Sequence, residues 1–134
     1  LTTIFASIGG ADVLIPYYVK HPGRAWHRRA LSKTYTALVN LISGNRLRYY
    51  NGMPVTRRFS AMRWHSNSHG FGFQADLVTR LLALGATHQE VGVIGRERAG
   101  GRSHAMTFRN FASVAHSLQN ILIRRISKAL YGQC

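Results

Sequence analysis

Four acidic residues face eighteen lysines and arginines in this 134-residue chain, a formal net charge of +14. Asp12, Asp76, Glu90 and Glu97 cannot balance that excess, so most of the positive charge must meet solvent or an anionic ligand. Fifteen of the eighteen cations are arginine. The planar guanidinium fork matches phosphate oxygens, so the surplus points to phosphate recognition rather than to solubility alone. Nucleic acid, anionic lipid and nucleotide ligands all satisfy this composition.

The rest of the composition is that of a globular protein. The hydrophobic fraction of 46% argues against disorder. A chain of this length buries roughly two-thirds of its unfolded surface. The lone cysteine, Cys134, excludes a disulfide framework and fits a reducing compartment. No apolar run approaches the ~18 residues of a transmembrane helix, and no signal peptide is visible. The chain opens without Met in a helix-like segment, Leu1 to Ile8, which reads as a truncated start.

Along the chain, Thr2 to Ile8 reads as a helix end closed by Gly9 and Gly10. Asp12 to Pro16 reads as a short buried strand, followed by a polar loop from Tyr17 to Ala25. Leu31, Tyr35, Leu38, Val39 and Ile42 recur at helical spacing, predicting a helix from Trp26 to Ile42 that ends at Gly44. Leu47 to Tyr50 and Met53 to Thr56 read as extended segments around a turn at Asn51-Gly52. Phe59 to Trp64 is a short helix, Ser66 to Gly72 a loop, Phe73 to Leu84 a helix and His88 to Ile94 a strand. A Gly- and Arg-rich loop, Gly95 to His104, leads into a long amphipathic helix, Met106 to Tyr131, with Phe108, Phe111, Ala115, Leu118 and Leu122 on its apolar face. Strands alternating with helices imply an α/β fold, a sheet covered by helices.

Three segments have the residue types for chemistry. In Gly95 to His104, glycines allow close backbone approach to a ligand, and the following helix offers unpaired N–H groups. Arg98 and Arg102 would neutralise phosphate, with Ser103 donating a hydrogen bond; a solvated basic loop with Ser103 as an ordinary N-cap explains the same residues. In His21 to Lys33, Arg24, Arg28, Arg29 and Lys33 surround a helix start beside Trp26. That grouping suits a lipid headgroup interface; it also suits a surface helix whose Trp packs inward. In Gly70 to Asp76, a carboxylate stands at a helix start below a Gly-rich aromatic loop. Asp76 is either a catalytic carboxylate or a structural one, paired with Arg80 at i,i+4 or favouring the helix N-terminus. The seven histidines lack metal-ligand spacing, and there is no P-loop, GxGxxG or nucleophile elbow.

Taken in order, these segments resemble the C-terminal half of family-2 glycosyltransferases with the GT-A fold, in particular dolichol-phosphate mannose synthases and bacterial polyprenyl-phosphate glycosyltransferases. Gly10-Ala11-Asp12-Val13-Leu14-Ile15 is similar to the family's "GADVVIGSRY", and Arg28-Arg29-Ala30-Leu31-Ser32-Lys33 to its "RxxLSR". Tyr50-Asn51-Gly52 through Arg57-Arg58 falls on "SGFRAFRR", and Phe71 to Asp76 on "GFxFQxE". Gly85-Ala86-Thr87 to Val91 is similar to "GxxIxEVP", and Arg98 to Ser103 to "RxxGxSK". The chain departs from the pattern at Tyr17, where the family has an acceptor-phosphate arginine, at Gly92 for proline, at His104 for lysine and at Asp76 for the longer acid.

The resemblance implies that residues 1–134 are the C-terminal part of one GT-A glycosyltransferase domain, with the nucleotide-sugar half and the Asp-x-Asp that holds a divalent metal (Mg or Mn) lying upstream of Leu1. It implies transfer of a sugar, with inversion, from a nucleotide sugar to a dolichyl or undecaprenyl phosphate. By the same resemblance Arg28 and Ser32 bind the acceptor phosphate, Arg98 and Ser103 grip the leaving diphosphate, and Asp76 lines the sugar or acceptor pocket. The implied location is peripheral, on the cytoplasmic face of a membrane with an anionic surface, with the isolated chain inactive. Two readings of another class stand beside it. One is a basic nucleic-acid-binding module, against which the aromatics sit mostly at core spacing and no nucleic-acid motif is present, so no nucleic-acid partner is expected. The other is a membrane-peripheral module without catalysis.

Overall fold

A computed structural model of the chain describes residues 2–20, 25–62, 70–95 and 108–132. Its elements run α1 (Thr2–Ala6), β1 (Val13–Lys20), α2 (Trp26–Ser43), β2 (Val55–Thr56), α3 (Arg58–Met62), a 3-10 turn at Gly70–Gly72, α4 (Phe73–Ala83), β3 (His88–Ile94) and α5 (Phe108–Tyr131). The strand order is β2-β1-β3, with β1 antiparallel to β2 and parallel to β3. The fold is therefore α/β, with a small mixed sheet.

Val13 and Ile15, two residues apart and hence on one face of β1, join a core with Val39 of α2, Val78 and Leu81 of α4 and Ile121 of α5. Leu14 and Pro16 are buried too. A strand buried on alternate residues of both kinds is what a parallel pair requires.

Two expectations from the sequence are corrected. The first strand does not stop at Pro16 but continues through Tyr17 to Lys20. β2 pairs only with Val13 and Leu14, so Pro16 lies past that ladder and its missing N–H breaks no bond to β2. The turn at Asn51-Gly52 does not join two paired strands, because Val55–Thr56 pairs with β1 instead. Leu47 is claimed by Asn40: its N–H donates to Asn40 Oδ1 (3.0 Å), and its carbonyl accepts from Asn40 Nδ2 (2.8 Å). That side chain takes the backbone groups a hairpin would have used, and Leu47 and Tyr50 turn into the core.

At the amino edge of the parallel pair, Asp12 and Thr87 join the strand starts. The Thr87 hydroxyl donates to Asp12 Oδ2 (2.8 Å), and so does the Thr87 N–H (3.0 Å). These bonds, the hydroxyl first, hold the Asp12 carboxyl below its ordinary value, with the Arg57 charge assisting. A carboxyl depressed in the folded state contributes stability above its unfolded pKa and loses it as pH falls through the folded one. The melting temperature should therefore drop on acidification below about pH 4, and Asp12→Asn should flatten that limb. Parallel acid limbs for Asp12→Asn and the parent would rule the linkage out.

Candidate functional site

In open α/β sheets, ligands sit in the crevice beyond the carboxyl ends of the parallel strands. Here β1 ends at Lys20 and α2 begins at Trp26, so only residues 21–25 separate the strand end from the helix start. The positive end of α2 thus lies at the carboxyl edge. Ala25 gives it no side-chain cap, and its first turn contains no acid. Among the described residues no side chain caps this start, which leaves amide N–H groups of the first turn for an anion.

Arg28 and Ser32 share one side of α2, one turn apart. Arg28 is exposed, whereas Ser32 is only 8% exposed and its hydroxyl has no hydrogen-bond partner among the described residues. Thr36, one further turn along, has a buried hydroxyl that is likewise unpartnered, as is that of Tyr35. Burial, with the charges of Tyr50 and Asp76 adding, pushes the Tyr35 phenol up to about 12. Buried hydroxyls without partners are costly and rare. Trp26 is 78% exposed, so it does not pack inward.

Midway along the parallel pair lies a constellation that the sequence reading missed. Tyr17 Oη accepts from Arg48 Nη1 (3.0 Å), and the guanidinium carbon lies 5.0 Å from the Tyr17 ring centroid. Glu90 of β3 accepts from the Arg48 N–H, and its Oε2 lies 3.7 Å from Arg48 Nε. Gly92 leaves the room: a Cβ there would come 3.4 Å from Tyr17 Cζ and 2.7 Å from Val19 Cγ2. Tyr17 and Gly92 are two of the positions where the chain departs from the sequence pattern that it resembles. The available sequence signal was a Tyr beside a Gly on neighbouring strands.

Asp76 lies on α4, near enough for its charge to act on the Tyr35 phenol of α2. It is 1% exposed and forms an ion pair with Arg124 of α5. Arg124 Nη2 also lies 3.4 Å from Thr79 Oγ1. Burial pulls the Arg124 guanidinium below its ordinary value; Asp76 opposes that pull and the like charge of Arg80 adds to it. The carboxylate therefore ties α4 to α5, and action as a base would require this pair to open. The signal for Arg124 lay in the pattern Ser113, Ser117, Ile121, Arg124, a second face of α5 at helical spacing.

Arg98, Arg102 and Ser103 lie outside the described residues. Among the described residues, no three of His, Cys, Asp and Glu come together to hold a metal ion. No protein-family model, no curated protein and no solved structure matches this chain.

Proposed function

We propose that this chain is the acceptor-binding half of a family-2 glycosyltransferase of the GT-A fold, working at an anionic membrane surface on a polyprenyl phosphate. The observation that carries the reading is the start of α2 at the carboxyl edge, which no described side chain caps, with Arg28 one turn before the buried Ser32 hydroxyl, which has no partner among the described residues. A helix N-terminus, a guanidinium and a hydroxyl donor are complementary to one phosphate monoester.

In this reading the acceptor phosphate, already ionised near neutral pH, needs positioning rather than a base. One of its oxygens forms a bond to the anomeric carbon of the nucleotide sugar from the face opposite the leaving group. The bond from that carbon to the diphosphate oxygen breaks, and its electron pair departs with the nucleoside diphosphate. Arg98 and Ser103 are assigned to the charge that grows there. Asp76 acts below the site by holding α5 through Arg124. The described residues do not fit a divalent metal, so no step of this half is routed through one.

The test is binding of a short prenyl phosphate in solution, followed by calorimetry. Arg28→Ala should weaken it by about tenfold, the size of one charge-assisted hydrogen bond. Arg57→Ala removes the same charge beside Asp12 at the amino edge and should leave binding within about twofold of the parent. Equal losses in the two variants would reduce the effect to net charge and sink the assignment.

A further inference from the structure

Of the apolar face expected on the long C-terminal helix, Leu118 packs against the core, whereas Phe108, Phe111, Ala115 and Leu122 are exposed. The apolar stripe of this helix is thus largely exposed. Phe108, Phe111, Leu122, Ile126 and Leu130 are each between 43 and 87% exposed. The inward side of α5 is mixed: Leu118 and Ile121 pack against the core beside the buried Ser117 and the Asp76-paired Arg124. At 100° per residue the five exposed side chains fall within one third of the helix circumference. Gln119 stands among them, and no Asp or Glu occurs anywhere in α5. A helix that hides serine and arginine and presents phenylalanine and leucine is not arranged for water.

Charge identifies what covers it. Across α2, α4 and α5 the one acid is Asp76, and it is buried with Arg124. The outer surface of this helix layer is therefore apolar and cationic, with Arg28 and Lys33 exposed on α2. A second copy of the chain would bring two net charges of +14 together. An anionic lipid surface instead offers acyl chains for the stripe and negative charge for the cations around it. Among the described residues no helix is long and apolar enough to cross a membrane, so α5 would lie in the plane of the surface.

We propose that the outward stripe of α5 is the element that seats this chain on an anionic bilayer, with Phe108, Phe111, Leu122, Ile126 and Leu130 entering the boundary between headgroups and acyl chains. The proposal rests on the membrane part of the reading above and is independent of the transfer reaction. Arg28→Ala, measured on a soluble prenyl phosphate, tests the phosphate site without the stripe.

The experiment is co-sedimentation of the whole chain with phosphatidylcholine vesicles, with and without phosphatidylglycerol. The parent should bind the mixed vesicles in preference to the neutral ones. Leu122→Gln with Ile126→Gln should lower the partition coefficient by at least about tenfold, while far-UV circular dichroism stays that of the parent. Gln119→Leu should raise it by about threefold or more, a gain that misfolding does not imitate. Absence of binding by the parent, or equal binding by all three proteins, overturns the proposal. So does self-association of the parent that the paired Gln variant abolishes while vesicle binding persists, which would assign the stripe to a second copy.

Discussion

Asp76→Ala is expected to destabilise the fold by about 3–5 kcal/mol, the cost of leaving one partner of a buried ion pair alone. The carboxylate is 1% exposed and pairs with Arg124, whose Nη1 already lacks a hydrogen-bond partner. Without Asp76, nothing opposes the burial and the Arg80 charge that already pull the Arg124 guanidinium down. Against a total of about 5–15 kcal/mol for a domain, such a loss approaches unfolding. The pair is not thereby a net source of stability, because bringing both charges out of water costs as much as their attraction returns. Asp76→Leu combined with Arg124→Met should therefore recover most of the loss, and the coupling between the two sites should exceed about 2 kcal/mol. Urea denaturation of the single and double variants measures it. An Asp76→Ala midpoint within about 1 kcal/mol of the parent would show that the pair is solvated in solution and that α4 and α5 are not joined by it.

Which parts of the fold were legible follows from what periodicity measures. α2 and β3 were read nearly to the residue because their breakers are local: Gly44 ends α2 with φ 78°, and Gly85, with φ 86°, separates α4 from β3. The segment Leu47 to Tyr50, read as extended, forms no strand, and its competitor was not a turn residue. Asn40 reaches seven residues ahead to satisfy Leu47, a bond that no turn propensity encodes. α5 was found as a helix, but of its expected apolar face only Leu118 meets the core. Spacing reports that one side of a helix is apolar; it does not report whether protein or another medium covers that side. Arg28 and Ser32 were singled out by the resemblance to "RxxLSR"; the helix then puts them one turn apart on one side of α2. The link between Tyr17, Arg48 and Glu90 could not be singled out so, since it joins two strands and the segment after α2.

Gly72→Ala is expected to cost about 3 kcal/mol, the upper part of the range for overpacking. Backbone strain is not the cause, since Gly72 sits at φ −81°, ψ −17°, which any residue adopts. Space is the cause. A Cβ there would lie 1.9 Å from Ser117 Oγ, 2.5 Å from Ser117 Cβ and 3.2 Å from the Ser113 carbonyl. Rotating the Ser117 hydroxyl away, and losing its 3.0 Å bond to Ser113, would still leave the two β-carbons overlapping. α5 would have to back off the Gly70–Gly72 turn, its most extensive contact outside the helix layer. Gly85→Ala is the contrast: its φ is positive but no atom lies within 4 Å, so it should lose only about 1 kcal/mol of conformational strain. Ser117→Gly alone should also destabilise, by about 1 kcal/mol, through helix propensity. Yet in the Gly72→Ala background it removes both overlapping atoms, so the double variant should be more stable than Gly72→Ala by itself. This change of sign, read from urea midpoints, is specific to a steric contact between the turn and α5. If Gly72→Ala is no worse than Gly85→Ala, or Ser117→Gly worsens it further, α5 does not rest on that turn, and the outward placement of its apolar stripe loses its support.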